Sequence, residues 1–490
     1  MRPPVPPPVG LPRGCASKGV ARASKRANGM AEATRIRSEA IAGRARRTEM
    51  ATRSPAYTRA PYSVHRVRAA RPLAASVSGR QAARVPFVIF VCPMLSANAI
   101  QMLGALSRLP DVRAAVIMPE PAEALPAELR AALAGHWRVD NIFDTGQLAA
   151  AARELAAHNG PVHRIFGAFE QLQVQLAEVR VQLGIEGMSV DAAHNFRDKA
   201  RMKDLLRRNG IPCARAALAT TPAEALAFAA RSGYPVVVKP PAGAGAVATF
   251  RADSEAQLTE GLQAVGFGHG EPLLVEEFVQ GTEHSCESIT IGGTTVWQSI
   301  TRYAPTPLDV KRNPWIQWCV ILPREQHAPA EHDIRDAAAR ALSVLGMQTG
   351  LSHLEWFRRT DGSIAISEVA ARPPGAQITT LVSRAHDFDF VEAWVRLMVH
   401  GTFAAPPRRY AVGAAYLRGQ GSGQIRAIHG LEIAQRELGP LICDLQLPVI
   451  GHAPRDTYEG DGFVLLRHPD TAVVERGLLR LISTVRVELG

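Results

Sequence analysis

The chain has 490 residues, of which 47% are hydrophobic, enough for two to four domains with cores of their own. Its six cysteines show no CxxC spacing, and its longest apolar run, residues 85–95, is short and interrupted by Pro93. These features argue against a membrane-spanning protein, suggest neither a zinc site nor a disulfide framework, and favour a reducing cytoplasm.

The net charge of +11 is concentrated in one segment. Residues 1–84 carry 16 Arg, two Lys and three Glu, a net charge of +15, so residues 85–490 have a net charge of −4. The basic segment has few large apolar residues, which predicts disorder. We consider a misplaced start, with Met30 or Met50 as the true one, or a targeting peptide, ahead of a polyanion-binding arm. The mildly acidic remainder makes nucleic acid an unlikely partner.

Residues 85–190 alternate between strand and helix patterns, which predicts a parallel, Rossmann-like sheet. The segment after the first strand lacks GxGxxG, which argues against dinucleotide binding. Glu170, at the end of the fourth strand, is a candidate ligand contact, although a solvated or helix-capping glutamate is an equally good interpretation. The predicted strands are residues 85–91, 112–118, 139–144 and 163–170.

Two lysines stand out in the next part of the chain. Residues 195–208 predict one basic amphipathic helix that contains Lys199, and a charged helix is usually only a solvated face. Lys239 ends an apolar strand, where a buried ammonium group needs an anionic partner, so we expect it to contact phosphates. Gly243 and Gly245 follow in a small-residue loop whose backbone N–H groups could surround phosphates.

Residues 351–375 predict a β-hairpin that turns at Asp361 and Gly362 and carries one carboxylate on each arm. Glu355 and Glu368 can face each other, and two close carboxylates suit Mg²⁺. Arg372 follows, a guanidinium able to hold a carboxylate or phosphate. Surface acids on an ordinary hairpin are the alternative.

Taken together, these segments resemble the ATP-grasp superfamily. The resemblance implies that Glu355 and Glu368 bind Mg²⁺ (or Mn²⁺) against ATP, that Arg372 and Gly375 bind substrate, and that Lys199 reaches the phosphates. In residues 271–291 it implies an adenine-binding hinge and a ribose contact, although an edge hairpin is the alternative there. The hinge residues are Glu276 and Val279, and the ribose contact is Glu283. The chain departs from the family at Ala246, where Ser is usual, and at Ala370, where Asn is frequent.

The predicted fold class is therefore mixed α/β and α+β. We expect a disordered tail (1–84), a Rossmann-like domain (85–190), a two-lobed ATP-grasp domain (195–403) and a small β-rich domain (410–490). The terminal domain has no lysine within the Met-Lys-Met sequence expected of a biotinyl carrier, which argues against a fused carboxylase.

The resemblance implies an ATP-dependent ligase that joins a small carboxylate to an amine through an acyl phosphate, with a segment ARPPG most like that of amino-acid ligases. Two alternatives stay open: an ATP-dependent carboxylase or purine-pathway enzyme, and a non-catalytic nucleotide-binding protein. We expect small-molecule partners, no membrane, and a homodimer as the one assembly considered.

Overall fold

A computed structural model describes residues 85–243, 249–267, 271–313, 316–326, 328–455, 457 and 459–490. The basic segment 1–84 lies outside these residues, so its predicted disorder stays a prediction. Among the described helices, none is both long and apolar enough to cross a membrane.

The first part is a four-stranded parallel sheet in the order β3-β2-β1-β4. Helices α1 and α2 cover one face and α3 and α4 the other, so every residue of β1 is buried. This confirms the predicted Rossmann-like sheet. The elements are β1 (Phe87–Val91), α1 (Ala97–Ser107), β2 (Arg113–Met118), α2 (Ala127–Ala132), β3 (Gly135–Arg138), α3 (Thr145–Asn159), β4 (Val162–Phe166) and α4 (Gln173–Leu183).

The third strand is not at residues 139–144, where we predicted it. β3 begins at Gly135, which pairs with Ala115 and packs so closely on Leu155 that an added Cβ would lie 2.8 Å from that side chain. Val139 and Ile142 are buried within the turn that follows β3. Their apolar character reflects burial beneath the sheet, which a strand pattern cannot distinguish from pairing.

The predicted helix at 195–208 is two helices, α5 (Val190–Arg197) and α6 (Lys199–Arg208). Asp198 between them has an extended backbone, with φ −97° and ψ 107°, and its side chain accepts hydrogen bonds from the N–H groups of Ala200 and Arg201. An aspartate N-cap of this kind starts a helix rather than continuing one. The break makes Lys199 the first residue of α6.

A small antiparallel sheet follows, in the order β5-β8-β6-β7. Its inner face packs against two helices, and Val236 and Val238 are fully buried there. Lys239, on the alternate side of β6, therefore faces away from that core. The elements are β5 (Ala216–Ala219), α7 (Pro222–Ser232), β6 (Val236–Lys239), β7 (Phe250–Ala252), α8 (Glu255–Ala264) and β8 (Leu273–Glu277).

The largest sheet has eight strands in the order β13-β12-β9-β10-β11-β14-β18-β17. Helix α10 packs on one face with α6, and α11 and α12 pack on the other. The elements up to the predicted linker are β9 (Gly281–Ile291), β10 (Thr294–Ala304), α9 (Pro307–Arg312), β11 (Cys319–Leu322), α10 (His332–Leu345), β12 (Gly350–Arg359), β13 (Ile364–Ala370), α11 (Ile378–His386) and α12 (Phe390–His400).

Beyond the proline-rich segment 404–409, the chain returns to the same sheet. β14 pairs with β11, so the sheet runs continuously across the boundary that composition indicated. The last helix ends at Thr484, and a short strand follows it. The remaining elements are β14 (Ala411–Leu417), β15 (Gly419–Gln420), β16 (Ile425–His429), α13 (Leu431–Leu438), β17 (Ile442–Gln446), β18 (Gly462–His468), α14 (Thr471–Thr484) and β19 (Arg486–Leu489).

The cap at Asp198 gives a stability prediction. We expect Asp198→Ala to lower the free energy of unfolding by about 1 kcal/mol, because the first turn of α6 loses its only side-chain cap, whereas Asp198→Asn should retain most of that energy. Urea unfolding of the three proteins measures the difference. Equal loss in both variants would show that the carboxylate charge, rather than the cap, is responsible.

Candidate active site

Two carboxylates face each other on the β12–β13 hairpin. Glu355 lies directly opposite Glu368, as predicted, and both side chains line one cavity. Leu354 and Trp356, the neighbours of Glu355, are buried on the opposite face of the sheet. Two acids placed side by side repel each other unless a cation lies near them.

Lys199 connects this hairpin to the glycine-rich loop. Its ammonium Nζ lies 2.9 Å from Glu368 Oε1 and donates to the carbonyl oxygen of Gly243 at 2.7 Å. Its backbone N–H donates to the carbonyl of Pro241 at 2.9 Å. The first turn of α6 therefore fixes both the lysine and the start of the loop, whereas Gly245 and Ala246 lie outside the described residues.

Lys239 belongs to a buried cluster of charges. Its Nζ lies 3.0 Å from Glu276 Oε2, and Lys203 Nζ lies 3.2 Å from the other oxygen. Burial alone would raise the pKa of Glu276, but the two ammonium groups outweigh burial and lower its pKa. Burial likewise opposes the charge of Lys239, yet Glu276 and Glu368 raise its pKa. Burial lowers the pKa of Lys203.

Part of the cavity lining is apolar. It comes from Ala214, Val237, Val279 and Phe357. Glu283 lines the same region and is largely buried. Burial, and then the nearby charge of Glu355, raise the pKa of Glu283 well above the usual carboxyl value. The cavity thus combines an apolar slot with a carboxyl group at its edge.

Arg372 pairs with Glu170, which follows the last strand of the parallel sheet. Arg372 Nε donates to Glu170 Oε2 at 3.1 Å, and Arg197 Nη1 donates to Glu170 Oε1 at 3.1 Å. Glu170 is 5% exposed, and each of its carboxylate oxygens accepts a hydrogen bond from one of the two guanidinium groups. Arg372 lines the cavity and Glu170 stands behind it. Direct substrate contact by Glu170 stays a prediction.

Gly375 also lines the cavity, and the backbone just after it is constrained. Its carbonyl oxygen accepts from Ile378 N–H at 3.0 Å, at the start of α11. Ala376 and Gln377 adopt left-handed conformations with φ of 51° and 52°. Such conformations are costly for residues with a Cβ and concentrate at functional sites. The surrounding fold therefore holds residues 375–378 in one shape.

A buried histidine, His353, lies between Glu355 and a second carboxylate. His353 Nδ1 lies 2.9 Å from Glu287 Oε1, and its Nε2 lies 3.5 Å from Glu355 Oε1. Burial opposes the charge of this ring, but the hydrogen bonds to Glu287 and Glu355 raise its pKa to about 9. Burial also opposes the charge of Glu355, whereas His353 lowers its pKa.

Sequence reasoning missed four of these residues. Lys203 follows Lys199 by four positions and His353 precedes Glu355 by two, so helical and strand periods would have placed each beside a known candidate. Arg197 and Glu287 gave no comparable signal, because their roles depend on partners from distant elements. Residues 85–490 contain only four lysines, and three of them, Lys199, Lys203 and Lys239, are in this cluster.

The residues that line the cavity suit a nucleoside triphosphate and a divalent cation. Three cationic side chains lie near Glu355 and Glu368, which together supply counter-charge for phosphates and ligands for a hard metal. In the described part of the chain, no three His, Cys, Asp or Glu side chains form a metal site by themselves. Mg²⁺ is typically held by one or two carboxylates together with substrate phosphates, which this arrangement matches.

Comparison with known proteins agrees with this geometry. A family model described as an ATP-grasp domain matches residues 204–387. The L-arginine-specific L-amino acid ligase of Bacillus subtilis is 26% identical over 281 residues, which cover 55% of this chain and 67% of that protein.

Two solved structures share the fold. The L-amino acid ligase of Bacillus licheniformis superposes with a TM-score of 0.67 at 20% identity and covers 83% of this chain and 99% of its own. The N5-carboxyaminoimidazole ribonucleotide synthetase of Thermotoga maritima has a TM-score of 0.60 at 18% identity, covering 83% and 100%. The family model thus assigns residues 204–387 to an ATP-grasp domain, and the shared fold and the grouping of lysines with paired glutamates agree with that assignment.

Proposed function

We propose that this chain is an ATP-dependent carboxylate–amine ligase that forms an amide bond between amino acids and releases ADP and phosphate. One observation carries the proposal: Lys199, Lys239, the Glu355–Glu368 pair and Arg372 line a single cavity. A phosphoryl-transfer site needs charge neutralisation and positioning more than it needs covalent chemistry from the protein. The similarity to the B. subtilis L-amino acid ligase supports amino acids as substrates.

In this proposal, the nucleotide extends along the cavity from the apolar slot to the paired acids. Adenine lies against Val279 and contacts the hinge beside Glu276, while the carboxyl group of Glu283 accepts from or donates to ribose hydroxyls. Lys239 and Lys199 contact the phosphates. Gly243, whose carbonyl accepts from Lys199, would lie beside them, and the contact expected of Gly245 stays a prediction, because that residue is outside the described part of the chain.

Glu355 and Glu368 would hold Mg²⁺ or Mn²⁺. When bound, the metal would supply Lewis-acid charge stabilisation for phosphoryl transfer. The protein's own contribution is to keep the two carboxylates opposite each other on paired strands, with Lys199 against Glu368. Lys199 would then connect the metal-binding acid Glu368 with the backbone of Gly243.

Arg372 would bind the carboxylate of the first substrate and hold one oxygen in line with the γ-phosphorus. Attack by that oxygen gives an acyl phosphate and ADP. The amine of the second substrate then adds to the acyl carbon, and phosphate leaves with one oxygen of the original carboxylate. Arg372 would stabilise the oxyanion that forms during this addition. Glu170 and Arg197 keep its guanidinium in place.

Cytoplasmic location and homodimeric assembly, both expected from the sequence, stay predictions. The other two interpretations have clear signatures in the same assay. Dependence of ADP formation on bicarbonate or a phosphoribosylamine would identify a carboxylase or purine-pathway enzyme. ATP binding without ADP formation, with any acid and amine, would identify a non-catalytic nucleotide-binding protein.

Two substitutions test the chemistry of the site. With a panel of paired amino acids, we expect Glu368→Gln and Arg372→Ala to reduce the rate of ADP release by about a hundredfold or more, because each removes charge stabilisation from the reacting groups. Asp361→Asn, in the exposed turn of the same hairpin, is the matched control and should keep the parent rate. Site variants that release ADP as fast as the parent would refute the assignment.

Substitution of a buried lysine tests nucleotide affinity. Lys239→Met removes a charged donor while Glu276 keeps Lys203 as its partner, so we expect ATP to bind about ten- to a hundredfold more weakly. Lys311→Met, on α9 and outside the residues that line the cavity, should bind ATP normally. Calorimetric titration with a non-hydrolysable ATP analogue measures both affinities, and equal affinities in the two variants would contradict the phosphate role of Lys239.

A further inference from the structure

A chain of polar side chains extends from Glu355 into the interior of the sheet. His353 is the next residue of β12 on the same face, and its ring lies between two carboxylates. Nδ1 faces Glu287 Oε1 at 2.9 Å and Nε2 faces Glu355 Oε1 at 3.5 Å. Each ring nitrogen therefore has one acidic neighbour.

Glu287 is the buried end of this chain. It lies on β9 directly opposite His353, is 0% exposed, and does not line the cavity. Its second oxygen accepts a hydrogen bond from the hydroxyl of Thr301, on β10, at 3.1 Å. Three adjacent strands thus contribute one side chain each, and Glu287 cannot reach a nucleotide in the cavity.

The opposite side of the hairpin leaves room for the imidazole. Ala370 is paired with His353 across β12 and β13 and is 1% exposed. Its methyl side chain provides no polar group that could compete for either nitrogen of the ring. On these strands, the polar neighbours of the imidazole are therefore the carboxylates of Glu287 and Glu355, because Ala370 offers no polar group.

A fully buried carboxylate is costly unless its hydrogen bonds are satisfied, so Glu287 needs His353 and Thr301. The same contacts fix the orientation of the ring. Glu355, by contrast, is 30% exposed in its side chain and would rotate freely without a partner. When Glu287 fixes the His353 ring, the ring can restrict Oε1 of Glu355 and leave the other oxygen of that carboxylate toward the cavity.

We propose that His353 is a positioning residue that orients the Glu355 carboxylate for metal binding, and that Glu287 and Thr301 hold the His353 ring in place. The inference rests on the proposed function, in which Glu355 is a metal ligand. Outer-shell partners of this type orient ligands and commonly change metal affinity by ten- to a hundredfold when they are removed.

The test measures metal affinity rather than turnover. The apparent dissociation constant of Mn²⁺ from the complex with a non-hydrolysable ATP analogue can be followed by proton relaxation. We expect Glu287→Gln to raise this constant about tenfold, because the ring loses its anionic anchor. The affinity for the analogue without metal should not change, since Glu287 does not line the cavity.

Thr301 provides a matched pair that perturbs the fold less. Thr301→Val removes the hydroxyl at constant shape and should weaken Mn²⁺ binding, whereas Thr301→Ser keeps the hydroxyl and should restore it. Ser288→Ala, buried on β9 next to Glu287 but on the alternate face, is the control and should leave the constant unchanged. If Glu287→Gln fails to fold, the Thr301 pair decides the question.

Glu355→Gln separates the two proposals. If it abolishes Mn²⁺ binding while Glu287→Gln and Thr301→Val bind Mn²⁺ like the parent protein, the positioning role is refuted and the metal site stands. If Glu355→Gln itself binds Mn²⁺ like the parent, the metal role of Glu355 in the proposed function is refuted. If Ser288→Ala weakens Mn²⁺ binding as much as Glu287→Gln and Thr301→Val do, the positioning role is also refuted. The loss of Mn²⁺ affinity would then reflect a general disturbance of β9.

Discussion

Charge compensation in the central cavity is the constraint on which the rest of the structure depends. Lys239 and Lys203 neutralise Glu276, Lys199 neutralises Glu368, and Arg372 and Arg197 neutralise Glu170. Each ion pair is largely shielded from water. A charge buried at such a position without a partner would cost several kcal/mol. The contacts also join separate elements: α6 to the hairpin, α6 to the small sheet, and the end of the parallel sheet to the segment that follows β13. The residues proposed to bind ligand therefore also hold these elements together.

Backbone features place these charges before any ligand arrives. The cap at Asp198 ends α5 and restarts the helix, which brings Lys199 to the first turn of α6. Strand alternation in β6 and β12 turns Lys239 and Glu355 toward the cavity while their neighbours fill the cores. Pre-set positions matter because a phosphoryl-transfer site works mainly by holding reactants and stabilising charge that is already oriented. Such a site gains little from groups that must reorganise during the reaction.

The sequence predicted local features well and long-range ones poorly. The hairpin, its facing glutamates and the lysine that ends β6 follow from strand periodicity and turn residues, which depend on near neighbours. The strand at 139–144 was wrong because buried turn residues imitate a strand. The helix at 195–208 was wrong at Asp198, because propensity does not reveal a cap within a helical pattern. The continuous eight-stranded sheet and the Glu287–His353 contact join residues more than sixty positions apart, which no local pattern specifies.

In the proposed mechanism, the chain activates a carboxylate with ATP before an amine arrives. The most direct measurement follows the carboxylate oxygen. With an amino acid labelled with ¹⁸O in its carboxyl group, an acceptor amino acid and ATP, we expect one ¹⁸O atom in each phosphate released, detected by mass spectrometry. ADP formation with no ¹⁸O in the phosphate would contradict the acyl-phosphate route and the roles assigned to Arg372 and the paired glutamates.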